Sequence, residues 1–310
     1  MRKIPAALAV LGLVTVGLAG CSLPGASDCS PPASDSELLD LVDVTGSVDS
    51  APAVDVYTPF HASEGSSAGL EQGAGTSAIT TDDQLVVLDF TLVSGETGET
   101  LVATPYNGDL SNVLAMSQVT QTFPTWGDAL ECATEGSRVV VAMAPGDIEA
   151  EAAASVGLAE DDSAIAVVDV RKVYLAAADG QNQFNSEGGL PSVVRAPDGR
   201  PGLVIPDSAS PDELVVQTIK KGDGEVVTAD VPVRAHVLGV SWDDKEQVKN
   251  TWEAQPETIT LDGDPVLAEA LVGQTVGSQV LVVVPADQGG TDQATVFVFD
   301  ILGLDAAPTQ

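Results

Sequence analysis

The chain has 310 residues, of which 12 are Lys or Arg and 46 are Asp or Glu, giving a formal net charge of −34 at pH 7. A surface this acidic repels nucleic acid and anionic lipid, so we exclude nucleic acid as a partner, and solubility is a sufficient reason for the charge. The length is more than one core usually fills, and aromatic residues are only 4% of the chain, which predicts two aliphatic, β-rich cores.

Residues 1–20 have the pattern of an export signal. Basic Arg2 and Lys3 precede an apolar run from Ile4 to Leu18, which is short for a bilayer span and ends in small residues. The following LAGC resembles the lipobox of bacterial lipoproteins, which implies cleavage before Cys21 and a lipid on its thiol. We therefore expect a lipid anchor in the cell membrane, with the protein on the extracytoplasmic side. The alternative is a soluble secreted protein in which Cys21 has no special role.

Residues 21–37 are predicted to be a tether, because Ser, Pro, Asp and Gly dominate them. With Cys21 lipidated, Cys29 and Cys132 are the two remaining thiols. In an oxidising compartment such a pair favours a disulfide, although Cys132 could also be an ordinary buried thiol. His61 and His236 lie far from each other and show no ligand spacing, so we predict neither a metal site nor a cofactor.

The first domain is predicted over residues 38–175. Alternating or continuous apolar runs predict strands, and an acidic, alanine-rich flap precedes the last of them. The strands fall at 54–57, 85–93, 139–141 and 164–170, the hairpin turn at 95–98 and the flap at 146–162.

A linker at 176–189 is sparse in apolar residues, and the second domain, residues 190–310, repeats the order of the first. Its strands are expected near 193 and at 203–205, 215–219, 231–240, 280–284 and 294–302, with a turn at 221–224 and a short flap at 286–292.

One helix–turn–strand unit occurs twice, at 123–145 and at 263–285. Trp126, Leu130 and Ala133 form one apolar stripe in the first copy, and Leu267 with Leu271 forms it in the second. The leucines, and the Gly-Ser pairs that open the following strands, are offset by the same 141 residues. This regularity predicts a duplicated domain.

The ordered motifs resemble those of FKBP-type peptidyl-prolyl cis-trans isomerases. The second copy shows KKGDGEVV, VPVRAHVLG, ALVGQTVGSQVLVVVP and TVFVFDIL, and the first shows VVLDFTLV, TWGDALECATEGSRVVVAMAP and AIAVVDV. The resemblance implies an α+β fold of two tandem FKBP-like domains. In each, an antiparallel sheet half-wraps around one short helix, and a shallow apolar pocket between them holds a prolyl peptide bond.

The resemblance also assigns pocket residues. The family's floor tryptophan falls on Trp126 and Leu267, and its strand tyrosine on Phe90 and Val237. The remaining positions are Leu101, Val102 and Phe123 in the first copy, Val248 and Lys249 in the second, and Ala166 and Phe297 on the closing strands. The aspartate of the family is therefore absent at Val102 and Lys249. The alternative for Trp126, Phe90 and Phe123 is an ordinary core role, and for Phe297 the core role is favoured.

Two functions follow from these assignments. The first is a prolyl isomerase that assists the folding of exported, unfolded or proline-containing polypeptides, because uncatalysed X-Pro isomerisation is slow enough to limit folding. The second is a non-catalytic binding module or holdase chaperone that grips such segments. Trp126 with Phe90 favours the isomerase, whereas the lost aspartates and Leu267 favour the holdase.

Overall fold

The computed structural model describes residues 29–184 and 188–306. The predicted export signal and Cys21 lie outside this part of the chain. Within it, no helix is both long and apolar enough to cross a membrane.

The first domain is built on a six-stranded antiparallel sheet with the strand order β3-β7-β8-β4-β5, and β6 lies beside β4. A separate hairpin, β1–β2, precedes it. The elements are β1 (Val42–Thr45), β2 (Ala53–Val56), β3 (Ser66–Glu71), β4 (Leu85–Ser94), β5 (Thr100–Ala103), β6 (Leu114–Ala115), α1 (Met116–Thr122), α2 (Thr125–Ala129), β7 (Arg138–Met143), α3 (Ala150–Ser155) and β8 (Ala164–Val173).

The second domain repeats this plan with a seven-stranded sheet in the order β14-β13-β17-β16-β12-β9, in which β15 lies beside β13. Its elements are β9 (Gln181–Asn182), β10 (Ser192–Arg195), β11 (Pro201–Val204), β12 (Val215–Lys221), β13 (Val233–Ser241), β14 (Gln247–Asn250), β15 (Glu257–Ile259), α4 (Pro265–Leu271), β16 (Gln279–Val284), α5 (Ala286–Gly289) and β17 (Thr295–Leu304). The described part of the chain thus has more helices than the expected one in each domain, because α1 precedes the predicted helix, which corresponds to α2, and both flaps contain a helical turn.

Each sheet is the middle of three layers, which explains why β7 and β16 are buried along their whole length. In β7, Val139 and Val141 face the helices, whereas Val140 and Ala142 face the β1–β2 hairpin. The second sheet is covered in the same way by α4 on one face and by the β10–β11 hairpin on the other. Residues that alternate between two covered faces read as the continuous apolar runs of the sequence.

The glycine turns before the long strands pack directly against the helix–strand turns. A Cβ on Gly73 would lie 2.2 Å from the carbonyl oxygen of Glu135, and one on Gly222 would lie 2.0 Å from that of Val276. Their backbone N–H groups donate to the hydroxyls of Ser137 and Ser278, each at 3.0 Å. The repeated Gly and Ser therefore maintain one close contact in both domains.

A buried ion pair anchors the β1–β2 hairpin on the first sheet. Arg138 Nε lies 2.6 Å from Asp169 Oδ1, and both side chains are buried. The same guanidinium donates to the carbonyl oxygens of Gly46 and Ser47 in the hairpin turn, at 2.7 and 3.0 Å. In the second domain, Gln279 and Asp300 take these sheet positions, so the pair is ionic only in the first domain.

The two domains meet through Tyr174, which follows β8 and is buried. Its hydroxyl donates to Asp305 Oδ1 at 2.8 Å, and Arg234 forms an ion pair with the same carboxylate at 2.9 Å. Leu175 N donates to the Leu302 carbonyl at 3.0 Å. Strand pairing puts this junction at the Leu85 end of β4 and the Val233 end of β13, while each flap leaves its sheet at the opposite end.

Parts of the predicted tether and linker are packed on the domains. A disulfide joins Cys29 to Cys132, with their Cα atoms 5.5 Å apart, and Asp35 N donates to the Ser67 carbonyl on β3. In the predicted linker, β9 pairs with the end of β12. Residues 29–37 therefore lie against the first domain, and the segment around β9 extends the second sheet.

Candidate functional site

Three aromatic rings form a cluster between the sheet and helices of the first domain. Phe123 stacks on Trp126 with ring centroids 4.2 Å apart and planes 11° from parallel. Phe90 meets both edge-on, 5.4 Å from Trp126 and 5.9 Å from Phe123. The two edge-on contacts have a favourable geometry for aromatic pairs.

Local structure fixes the positions of these rings. Phe123 ends α1 directly before Pro124, Trp126 lies on α2, and Phe90 lies on the face of β4 that packs against the helices. Leu101 and Val102, on β5, pack against the same core. The structure thus brings together in one core the first-domain residues to which the resemblance assigned a pocket, Ala166 included.

This first-domain arrangement is closed. Trp126 is only 1% exposed, and Phe123 covers its face, so a ligand cannot reach the indole as it stands. The flap also packs down: Ile148 is buried in the core, and Glu149 N donates to the Thr122 carbonyl at 2.8 Å. The cluster has the packing of a core in this conformation.

The second domain has an open cleft at the corresponding place, with a volume of about 500 Å³. Leu267 and Val237 lie in it together with Phe297, as the resemblance implies. Val248 does not belong to the cleft, since it lies on β14 and is 57% exposed. The other lining residues are Lys249, Glu257, Thr258, Ile259, Thr260, Asp264, Val266, Val284, Gln288, Gly289 and Phe299.

Side-chain size explains why one site is open and the other closed. Where the first domain has Phe90, Phe123 and Trp126, the second has Val237, Asp264 and Leu267. Asp264 is also held at the helix start, because its carboxylate accepts from the backbone N–H groups of Val266 and Leu267. Smaller side chains and this N-cap leave the cleft unfilled.

The rim of the cleft is charged and its floor is apolar. Lys249 Nζ lies 2.5 Å from Glu257 Oε2, and both side chains are partly exposed. An exposed pair of this kind contributes little to stability. Lys249 is the position to which the resemblance assigned an aspartate, and here it carries a positive charge that is paired with Glu257.

A threonine hydroxyl anchors the strand residue of each site, a feature that was not predicted from the sequence. Thr251 Oγ1 accepts from Val237 N at 2.8 Å, and Thr104 Oγ1 accepts from Phe90 N at 3.1 Å. The signal was available, because each threonine stands 14 residues after the residue that it anchors.

Behind the cleft, on the other face of β13, lies an unexpected aromatic contact. His236 stacks on Trp252 with centroids 4.1 Å apart, and its Nδ1 lies 3.0 Å from Thr251 Oγ1. Burial lowers the pKa of His236 to about 4, so the ring is neutral at ordinary pH. Among residues 29–184 and 188–306, no group of three or more His, Cys, Asp or Glu side chains is arranged to hold a metal ion.

No family model and no curated protein matches the chain. Among solved structures it resembles the three FKBP domains of wheat FKBP73, at 12% identity over 77% of this chain and 93% of that one, with a TM-score of 0.33. FkpA from Escherichia coli matches at 22% identity over 40% of this chain and 55% of its own, with a TM-score of 0.29. A putative FKBP12 isomerase from Mycobacterium tuberculosis matches at 23% identity over 36% and 92%, with a TM-score of 0.24. We therefore derive function from the geometry of this chain.

Proposed function

We propose that the chain carries two tandem FKBP-like domains and is a peptidyl-prolyl cis-trans isomerase whose working site is the second-domain cleft. The observation that carries this proposal is the open cleft of about 500 Å³ with its apolar floor. A volume of this size suits a short peptide segment, and the charged rim leaves room for an extended backbone to cross it.

The reaction asks little of the protein. An X-Pro amide must cross a barrier of roughly 18–20 kcal/mol while it twists and loses resonance, and no bond to a heavy atom is made or broken. Leu267 provides the floor for the prolyl ring, and Phe297 and Phe299 exclude water beside it. The twisted amide is less polar than the planar one, so a dry apolar cleft favours it without acid or base.

Activity is tested with peptides that contain one X-Pro bond, in a protease-coupled assay on the full chain. Leu267→Lys puts a charge on the floor and is expected to remove most of the catalysed rate. Val272→Lys is the matched control, because Val272 caps the same helix and is exposed outside the cleft. Equal rates for the two variants, both folded, would overturn the assignment of the site.

The clients we propose are exported polypeptides that fold at the outer face of the membrane, where the protein is held by a lipid on Cys21. The support is the LAGC motif after the apolar segment. Cys21→Ser should release the protein or leave an unprocessed precursor, as fractionation and mass spectrometry would show. A cleaved Cys21→Ser protein that stays in the membrane would contradict the anchor.

Holdase binding without catalysis is the second candidate. It is favoured by the aliphatic floor at Leu267 and by Lys249 in place of the family's aspartate. On this proposal the chain suppresses the aggregation of an unfolded client, Leu267→Lys weakens that effect, and the peptide assay shows no catalysis. A catalysed rate that Leu267→Lys removes would decide for the isomerase.

A further inference from the structure

In the aromatic cluster of the first domain, the ring of Phe123 covers the face of Trp126. We infer that Phe123 fills, from within the chain, a second binding site for an apolar ring, and that proline-bearing segments enter this site when the Phe123 side chain turns away. The class of ligand rests on the proposed function; the existence of the site rests on the geometry below.

Phe123 lies on Trp126 as a ligand ring would lie on a flat apolar floor. The two rings are almost parallel, at 11° and 4.2 Å, and Phe90 closes the side edge-on. The corresponding place in the second domain is an open cleft, because Asp264 replaces Phe123 there. The filled site therefore differs from the empty one by the ring of Phe123 and by the larger side chains of Phe90 and Trp126 beside it.

In this inference the first site opens by rotation of the Phe123 side chain, while the backbone of Phe123 stays in place. The backbone of Phe123 is held on both sides, since its N–H donates to the Val119 carbonyl at 2.8 Å and its carbonyl accepts from Trp126 N at 3.0 Å. The Phe123 side chain is only partly buried, so it has solvent on one side. Rotamer changes of such side chains are fast compared with binding.

The floor also has an unused hydrogen-bond donor. The indole N–H of Trp126 is buried and has no partner among the described residues. A buried donor without an acceptor is unfavourable, and an amide carbonyl of a bound segment would satisfy it. An aromatic face with a free donor beside it matches the ring and the carbonyl of a prolyl residue.

Because Phe123 occupies the site, a peptide must compete with it and binds more weakly. If Phe123 leaves the stack in about one molecule in a hundred, the apparent Kd is about 100-fold higher than that of the open site. Phe123→Ala removes this competition. We expect it to tighten binding about tenfold or more, because the closed state loses the two ring pairs of Phe123.

The test uses the full chain with Leu267→Lys, so that the second cleft is blocked, with and without Phe123→Ala. The probe is the acetylated, amidated peptide Ala-Leu-Pro-Phe, and the readout is the indole N–H signal of Trp126 in NMR spectra. The matched control is Phe184→Ala, because Phe184 is 95% exposed and lies outside the cluster. We expect a saturable shift of Trp126 with Phe123→Ala and a Kd unchanged by Phe184→Ala.

Two outcomes would overturn the inference. One is a Trp126 signal that responds equally with and without Phe123→Ala; the other is a folded Phe123→Ala protein in which the peptide leaves Trp126 unshifted. If Phe123→Ala does not fold, Phe123→Val should show the same gain. The proposed isomerase activity of the second-domain cleft is measured in the chain with Leu267 intact, whereas binding at Trp126 is measured with Leu267→Lys. Each proposal can therefore be contradicted without the other.

Discussion

Replacement of Trp126 by leucine separates a structural role from a catalytic one. The change gives the first domain the residue that the second has at Leu267. Trp126 is buried under Phe123 and the flap, so we expect Trp126→Leu to lower stability while peptide turnover, which we place in the second domain, is unchanged.

The magnitude follows from the contacts that are lost. Trp126 forms one stacked and one edge-to-face ring pair, each worth about 0.5–1.5 kcal/mol beyond the area that it buries. Truncation of a buried Trp to Ala costs about 3–5 kcal/mol, and leucine keeps part of that packing. The expected loss in the free energy of unfolding is about 2–4 kcal/mol, or roughly 6–15 °C in Tm.

Thermal melts and the peptide assay on one preparation measure both quantities. Leu267→Trp, the reciprocal change, serves as the matched variant, because it alters the site that we expect to work. A normal Tm with a large fall in kcat/KM for Trp126→Leu would refute the reasoning and make the first domain the catalytic one.

Three further results are expected. Arg138→Gln leaves the buried carboxylate of Asp169 without its ion pair and should cost about 3–5 kcal/mol in urea unfolding; a loss near zero, or no recovery on adding Asp169→Asn, would contradict this. Because burial lowers the pKa of His236 from 6.5 to about 4, stability should be full above pH 6.5 and fall by up to about 3 kcal/mol toward pH 4; His236→Gln should flatten this fall, and identical pH profiles would argue against it. Reduction of the Cys29–Cys132 disulfide should remove roughly 4–5 kcal/mol in the chain-entropy model; two thiols free to alkylate in the native protein would show that the bond is absent.

The order of elements was predictable because the chain repeats itself. Two copies of one pattern, with Gly136-Ser137 and Gly277-Ser278 at the same offset, locate the strand starts better than either copy alone. Strands β2, β10 and β11 of the outer hairpins were predicted, whereas β1 was not, because it is short and only its first residue is buried. The sequence did not predict that the two hairpins form outer layers. Their role depends on tertiary contacts that leave no periodicity in the sequence.

The candidate site was predictable by position but not by state. The sequence indicated which side chains meet at Trp126 and at Leu267, and the structure brings most of them together. The sequence could not show that Phe123 lies flat on the indole of Trp126. Whether side chains of a given size fill a site or leave it open depends on the backbone positions around them, which the sequence does not give. The prediction that Val248 lines the pocket was wrong for a related reason. Neighbouring residues on a strand face opposite sides, and the pairing of β13 with β14 has a register shift next to Val248.

The junction at Tyr174 sets a constraint on valency. It joins the two sheets at the ends remote from both flaps, and the two proposed ring-binding sites lie one in each domain. A short peptide can occupy only one of the two proposed sites at a time. A longer client that is bound at one site binds the other more readily, through a high effective concentration, only if the chain between its two bound segments spans the distance between the sites. If both proposed sites bind, this placement would favour long, unfolded polypeptides over folded proteins with a single exposed proline, without any difference in the affinity of either site.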